Sequence, residues 1–169
     1  MDEDIWATVH RANGERVVPA FRVNQQTAGY QPYTQGAMDG DGNIVIVWQN
    51  DPKSPGADHE NVWMRAYQAD GTTRGGEVQI NTWTGAWQSK PNGAMNEAGD
   101  MVVVWTSNAQ DGDLTGVFAR LGVSSGHLAA GEAFQANTEW NNAQENAWAG
   151  VAEDARFFIA WEATGQEST

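Results

Sequence analysis

Gly42-Asn43-Ile44-Val45-Ile46-Val47-Trp48 returns 57 residues later as Gly99-Asp100-Met101-Val102-Val103-Val104-Trp105. A third copy, Arg156-Phe157-Phe158-Ile159-Ala160-Trp161, follows 56 residues after the second. Each copy is apolar at nearly every position. A strand with one wet face would alternate, so this run predicts a strand buried on both faces. Recurrence at a fixed period of this length is the mark of a repeat architecture.

Other landmarks keep the same spacing. Phe21-Arg22-Val23-Asn24, Val78-Gln79-Ile80-Asn81 and Phe134-Gln135-Ala136-Asn137 correspond, and each Asn is followed seven residues on by Gln31, Gln88 or Gln144. Ile5-Trp6, Val62-Trp63 and Val117-Phe118 form another set, with turn glycines Gly14, Gly71 and Gly126 nine residues after the first member. The chain opens on the end of a repeat and closes in the middle of one. Trp48 to Val62 is 14 residues and Trp105 to Val117 is 12; running from Trp161 past Thr169 and on to Ile5 gives 13. The two ends therefore read as complementary halves of one circularly permuted repeat.

Four strands per repeat are expected. Strand one spans about Pro32–Met38, Pro91–Met95 and Ala147–Ala152. Strand two spans Asn43–Gln49, Asp100–Thr106 and Arg156–Glu162. Strand three spans Asn61–Gln68, Gly116–Gly122 and Asp4–His10, and the short strand four Val78–Asn81, Phe134–Asn137 and Phe21–Asn24. Asp39-Gly40-Asp41-Gly42, Ala69-Asp70-Gly71, Ala12-Asn13-Gly14 and Ser125-Gly126 supply turns. The whole chain, 1–169, is then one all-β repeat domain. Its units are about 31–81, about 88–137, and about 144–169 joined to 1–24. Strand three alternates and strand four is a blunt edge, so each unit reads as a four-stranded β-propeller blade between neighbours.

The phrases "DGNIVIVWQN", "GDMVVVWTSNAQDGDLTGVFARL" and "GGEVQINT" resemble the blade repeats of large bacterial extracellular β-propeller and adhesin-like proteins. Those arrays read roughly "DGxFVVVWxSxxQDGxxxGVxARxF…GxEFxVNT". The resemblance covers nearly the whole chain. It implies an extracellular or cell-surface location and an adhesion or binding role, without naming a ligand. The acidic Met1-Asp2-Glu3-Asp4 start has no signal-peptide core.

Propellers close with about four to eight blades, and three would leave the ring splayed. The expectation is a six-bladed homodimer. In it the C-terminal two strands of one chain pair with the N-terminal two of the other, leaving no open edge. The alternative is closure within one chain, as a pseudo-threefold β-trefoil or β-prism.

Composition narrows the function. The 169 residues carry 22 acidic and 9 basic side chains, a formal net charge of −13. Such a surface repels phosphate backbones and anionic lipid, so no nucleic-acid partner is expected. No stretch approaches the roughly 20 apolar residues of a membrane span, so no membrane insertion is expected either. There is no cysteine, hence neither disulfides nor thiol chemistry.

Catalysis is not expected. His10, His59 and His127 fall at unrelated places in the repeat, giving no ligand spacing and no triad. Asp39-Gly40-Asp41-Gly42-Asn43 suggests a calcium loop, but Ile44 and Asn50 stand where an EF-hand needs Gly and Glu. It reads better as a hairpin turn. Asp111-Gly112-Asp113, with Asp51 and Asp58 in the corresponding loop, is the one weak calcium candidate. No other cofactor is implied.

The loops from strand four into strand one are the most suggestive feature. They carry Tyr30, then Trp83 and Trp87, then Trp140 with Asn141 and Asn142. Aromatic faces stack on the C–H faces of sugars while amides meet hydroxyls. The competing reading packs Trp87 and Trp148 between sheets and gives Gln31, Gln88 and Gln144 a structural hydrogen bond to a neighbouring blade's backbone. The expected function is non-catalytic, multivalent and lectin-like, with a glycan ligand held through these aromatic loops. The alternative is a scaffold or adhesin subunit with no small ligand.

Overall fold

A computed structural model describes residues 3–52, 59–139 and 141–165. These form twelve β-strands and no helix. One four-stranded antiparallel meander comprises β3 (Gln35–Met38), β4 (Ile44–Asn50), β5 (Asn61–Tyr67) and β6 (Val78–Gln79). A second comprises β7 (Gln88–Met95), β8 (Asp100–Asn108), β9 (Thr115–Val123) and β10 (Phe134–Gln135). Two-stranded sheets flank them: β1 (Trp6–His10) with β2 (Arg16–Arg22), and β11 (Gln144–Val151) with β12 (Phe157–Ala163).

Two of the three apolar runs, β4 and β8, are buried on both faces as expected, whereas the third, β12, is exposed or half-exposed throughout. Successive residues of a strand point to opposite faces. On β4, Ile44, Ile46 and Trp48 join Ile5 and Val23 of the N-terminal segment, while Val45 and Val47 join Met101, Val103 and Trp105. On β8 those three residues face the first meander, and Val102 and Val104 turn to Ala147, Ile159 and Trp161. The sheets therefore stack in chain order: β1–β2, first meander, second meander, β11–β12. Fully burying side chains of this size contributes roughly 1.5–3 kcal/mol each.

Repeated polar contacts fix the stack. Arg65 Nη1 donates to the Val23 carbonyl at 2.8 Å, and Arg120 Nη1 repeats the contact on the Ile80 carbonyl at 2.8 Å. Asn24, Asn81 and Asn137 each accept, through Oδ1 at 2.8 Å, the backbone N–H of Ile5, Val62 and Val117. A short strand four thus stays attached where backbone pairing stops. The Asp39 loop is a hairpin turn. Its Oδ1 accepts the N–H groups of Asp41 and Asn43, and Gly42 takes φ of 83°.

Three expectations need adjustment. Strand one starts at Gln88 and Gln144 in the second and third repeats, earlier than expected, because those residues pair with Ser107 and Ala163 across a bulge. β2 begins at Arg16, because the Asn13-Gly14 turn folds it tightly back on β1; Pro19 is tolerated there because β2 is an edge strand. Most consequentially, among the described residues no ladder joins β1–β2 to β11–β12 and no sheet closes into a barrel. Closure of one chain on itself into a threefold body is therefore not formed among the described residues.

Candidate functional site

The first strand of each repeat contains the same defect. Ser89 pairs with Thr106, but Asn92 pairs with Val104, so one extra residue is accommodated between them. Glu145 with Glu162, then Trp148 with Ala160, repeats the shift. In the first repeat the Gln49 N–H donates to the Pro32 carbonyl, while Gln35 pairs with Val47. The residues at the bulge are Tyr33, Lys90 and Asn146, with φ of 55°, 52° and 54°. They stand 57 and 56 residues apart, each two places after the recurring Gln. None is glycine, so each holds a conformation that L side chains rarely adopt.

The bulges aim these side chains at one place. β3 contacts β7, and β7 contacts β11. Between them lies a depression of about 310 Å³. Every repeat contributes its bulge residue (Tyr33, Lys90, Asn146) and the residue two further on (Gln35, Asn92, Trp148). Tyr33 and Trp148 are 54% and 61% exposed. Polar groups surround them: Lys90 Nζ meets Glu145 Oε2 at 2.7 Å, and Asn146 Nδ2 donates to Glu162 Oε2 at 2.6 Å. Asn92 is buried, with Oδ1 accepting the Ala149 N–H at 3.2 Å.

A second depression adjoins the first and shares Tyr33 and Lys90 with it. Tyr30 and Trp87 line it, with Gln49, Asp51 and Glu60. Trp87 is 56% exposed. Tyr30 is held by reciprocal backbone hydrogen bonds with Asp51, at 2.9 and 2.8 Å. Gly29 permits that approach, since a Cβ there would collide with the Asp51 carbonyl and its φ is 91°. Burial, and then the charge of Asp51, raise the pKa of Glu60 above the ordinary 4.5, with His59 opposing.

The expected site residues divide on this geometry. Tyr30 and Trp87 share one depression. Trp83 is half-buried, its ring lying against Gly85, and lines neither depression. Asn141 and Asn142 are exposed and line neither depression; their main chain braces the loop, the Asn141 carbonyl accepting from Gln144 Nε2 and the Asn142 N–H donating to Asp113 Oδ2 at 2.8 Å. Trp140 lies outside the described residues, as does Asp58. Asp111 Oδ2 accepts from Gln135 Nε2 at 3.1 Å, so both acids of the calcium candidate brace the loop. Among the described residues, no three acidic or histidine side chains gather in a metal-holding group.

Gln88 and Gln144 are fully buried and structural. Gln88 Oε1 accepts the Trp105 indole N–H at 2.8 Å; Gln144 Oε1 accepts from Asn137 Nδ2 at 3.1 Å. Their own amide donors meet the loop carbonyls of Ala86 and Asn141, in the segments leading into their strands. Tyr33, Lys90 and Asn146 were missed in the sequence because they differ in chemistry. Only their common distance from the recurring Gln gives them away. No protein-family model matches this chain, and no curated protein matches it at a significant level.

Proposed function

We propose that the four sheets are blades of a β-propeller, two complete and two half-built, and that the protein is a non-catalytic carbohydrate-binding module of the bacterial cell surface. The observation that carries the binding reading is the pair of joined depressions, with exposed aromatic faces at Trp87, Tyr33 and Trp148 beside amide, ammonium and carboxylate groups. That pairing suits a sugar, whose C–H face stacks on a ring while its hydroxyls find polar partners. The openness of the surface favours weak single sites, with strength gained by repetition.

The test is a glycan array followed by titration calorimetry on the best ligand. Trp87→Ala and Trp148→Ala should each weaken binding at least tenfold with no loss of folding, whereas Trp83→Ala should leave it unchanged. Binding insensitive to both Trp87 and Trp148, or absent for every glycan, would overturn the reading. A scaffold role is the second reading. The observation favouring it is the apolar exposure of Trp6 and Phe158 at the two ends of the stack.

A further inference from the structure

β12 repeats the sequence of β4 and β8, yet its surroundings differ. β4 is buried at all seven positions, and β8 at seven of its nine. β12 is exposed or half-exposed throughout, with Phe158 at 63%. It pairs with β11 on one side only. At the other end of the stack β1, the counterpart of β5 and β9, pairs only with β2 and leaves Trp6 62% exposed. Each end displays what the other lacks: an unpaired second strand, and an unpaired third.

We propose that β12 of one chain pairs with β1 of a second copy, and reciprocally, so that two chains close into one ring containing two shared sheets ordered β11-β12-β1-β2. This rests on the blade reading above and is independent of the sugar reading.

The two complete sheets are internal templates for the junction. Trp48 pairs with Trp63 and Val47 with Met64; Trp105 pairs with Phe118 and Val104 with Ala119. Carried over by the repeat, this register sets Trp161 opposite Trp6 of the second copy and Ala160 opposite Ala7. Both bare faces are then covered. Phe158 and Ala160 correspond to Val45 and Val47, which pack on Met101, Val103 and Trp105; they would meet Ile44, Ile46 and Trp48 of the second copy. Trp6 of the second copy corresponds to Trp63, which packs against the cluster holding Ile5 and Val23; it would cover Val117 and Ala136.

The junction also tolerates its charges. Carried over from Asp100 opposite Val123, the register would set Arg156 opposite Arg11 of the second copy, each already paired within its own chain, Arg11 with Glu15 at 2.6 Å and Arg156 with Asp154 at 2.7 Å. An exposed edge with an apolar face is a template for another chain. Reciprocal use of the two edges about a two-fold axis ends the association at two copies.

The test uses the absence of native cysteine. Light scattering on the 169-residue chain should give twice its mass of 18.3 kDa. The double variant Ala7→Cys with Ala160→Cys should form, on mild oxidation, a species linked between chains in which both disulfides close one dimer. Trp6→Glu and Phe158→Glu, both at positions exposed in the single chain, should give folded monomers with unchanged β-sheet circular dichroism. A monomeric wild type overturns the proposal. So does a disulfide closed within one chain, a cross-linked ladder beyond dimers, or a dimer untouched by both Glu variants. Glycan binding by a monomer would leave the sugar reading standing while sinking this one.

Discussion

The indole N–H of Trp105 donates to Oε1 of Gln88 at 2.8 Å, with both side chains fully buried. The bond ties the centre of β8 to the start of β7, immediately before the bulge. Replacing Gln88 with Leu would leave the indole N–H without its partner in an apolar site. The expected cost is about 1–3 kcal/mol, read from urea denaturation. A cost near zero would mean that the neighbouring loop can supply another acceptor.

Trp105 and Trp148 are opposites in consequence. Trp105 is at the centre of the cluster between the two meanders, so Trp105→Ala should cost about 3–5 kcal/mol. Trp148 stands in solvent, so Trp148→Ala should leave the unfolding midpoint of the chain almost unchanged. Equal losses from the two would contradict this packing.

Asp39 gives the acid side of the stability curve. Burial acts to raise its pKa, but hydrogen bonds from the Asn43 side chain, Ser124 and the backbone N–H groups of Asn43 and Asp41 together hold it below the ordinary 3.8. The native state therefore favours the carboxylate. That contribution is present above the unfolded value and is lost as pH falls through the lower folded one. Asp39→Asn should flatten the loss of stability below about pH 4, as followed by thermal unfolding at several pH values.

Glu60 has the opposite sign. Its raised pKa means that the folded chain holds the proton more tightly than the unfolded one. Its contribution is present below the unfolded value and disappears as pH rises through the folded one. Glu60→Gln should match the wild type in acid and exceed it in stability near neutrality. A variant equally stable or weaker at neutral pH would count against burial as the cause.

The Arg65 and Arg120 contacts bind neighbouring sheets at corresponding places. Arg120→Ala should loosen the two meanders and leave the Ile80 carbonyl unsatisfied. Hydrogen exchange should then rise selectively in β6 and β9, while Thr8, the equivalent residue of β1, should tolerate Ala without effect.

The legibility of the chain followed the strength of each physical constraint. Burial on both faces leaves a plain signature, so Ile44 to Trp48 and Met101 to Trp105 declared their strand and its depth. Turns with Asn13-Gly14 or Asp39 to Gly42 did the same. The bulges did not, because one inserted residue hardly disturbs a pattern in which Gln31, Gln88 and Gln144 are polar anyway. The site suffered accordingly. Tyr30 and Trp87 announced themselves as loop aromatics, but Tyr33 and Lys90 reach the same surface only through an unusual backbone turn. Asn141 and Asn142 were legible as exposed loop amides, but their main-chain bonds to Gln144 and Asp113 depend on how the loop folds and leave no mark on residue type.

The three kinks have one more implication. At Tyr33, Lys90 and Asn146 the main chain adopts a single shape while the side chain is a phenol, an ammonium group or an amide. Whatever holds the kink is supplied by the surrounding ladder rather than by the residue at its tip. Such positions are interchangeable sockets: a phenol, an ammonium group and an amide already occupy them on one backbone shape, so a panel of substitutions at these three places should change the chemistry of the depression while the sheets beneath stay the same.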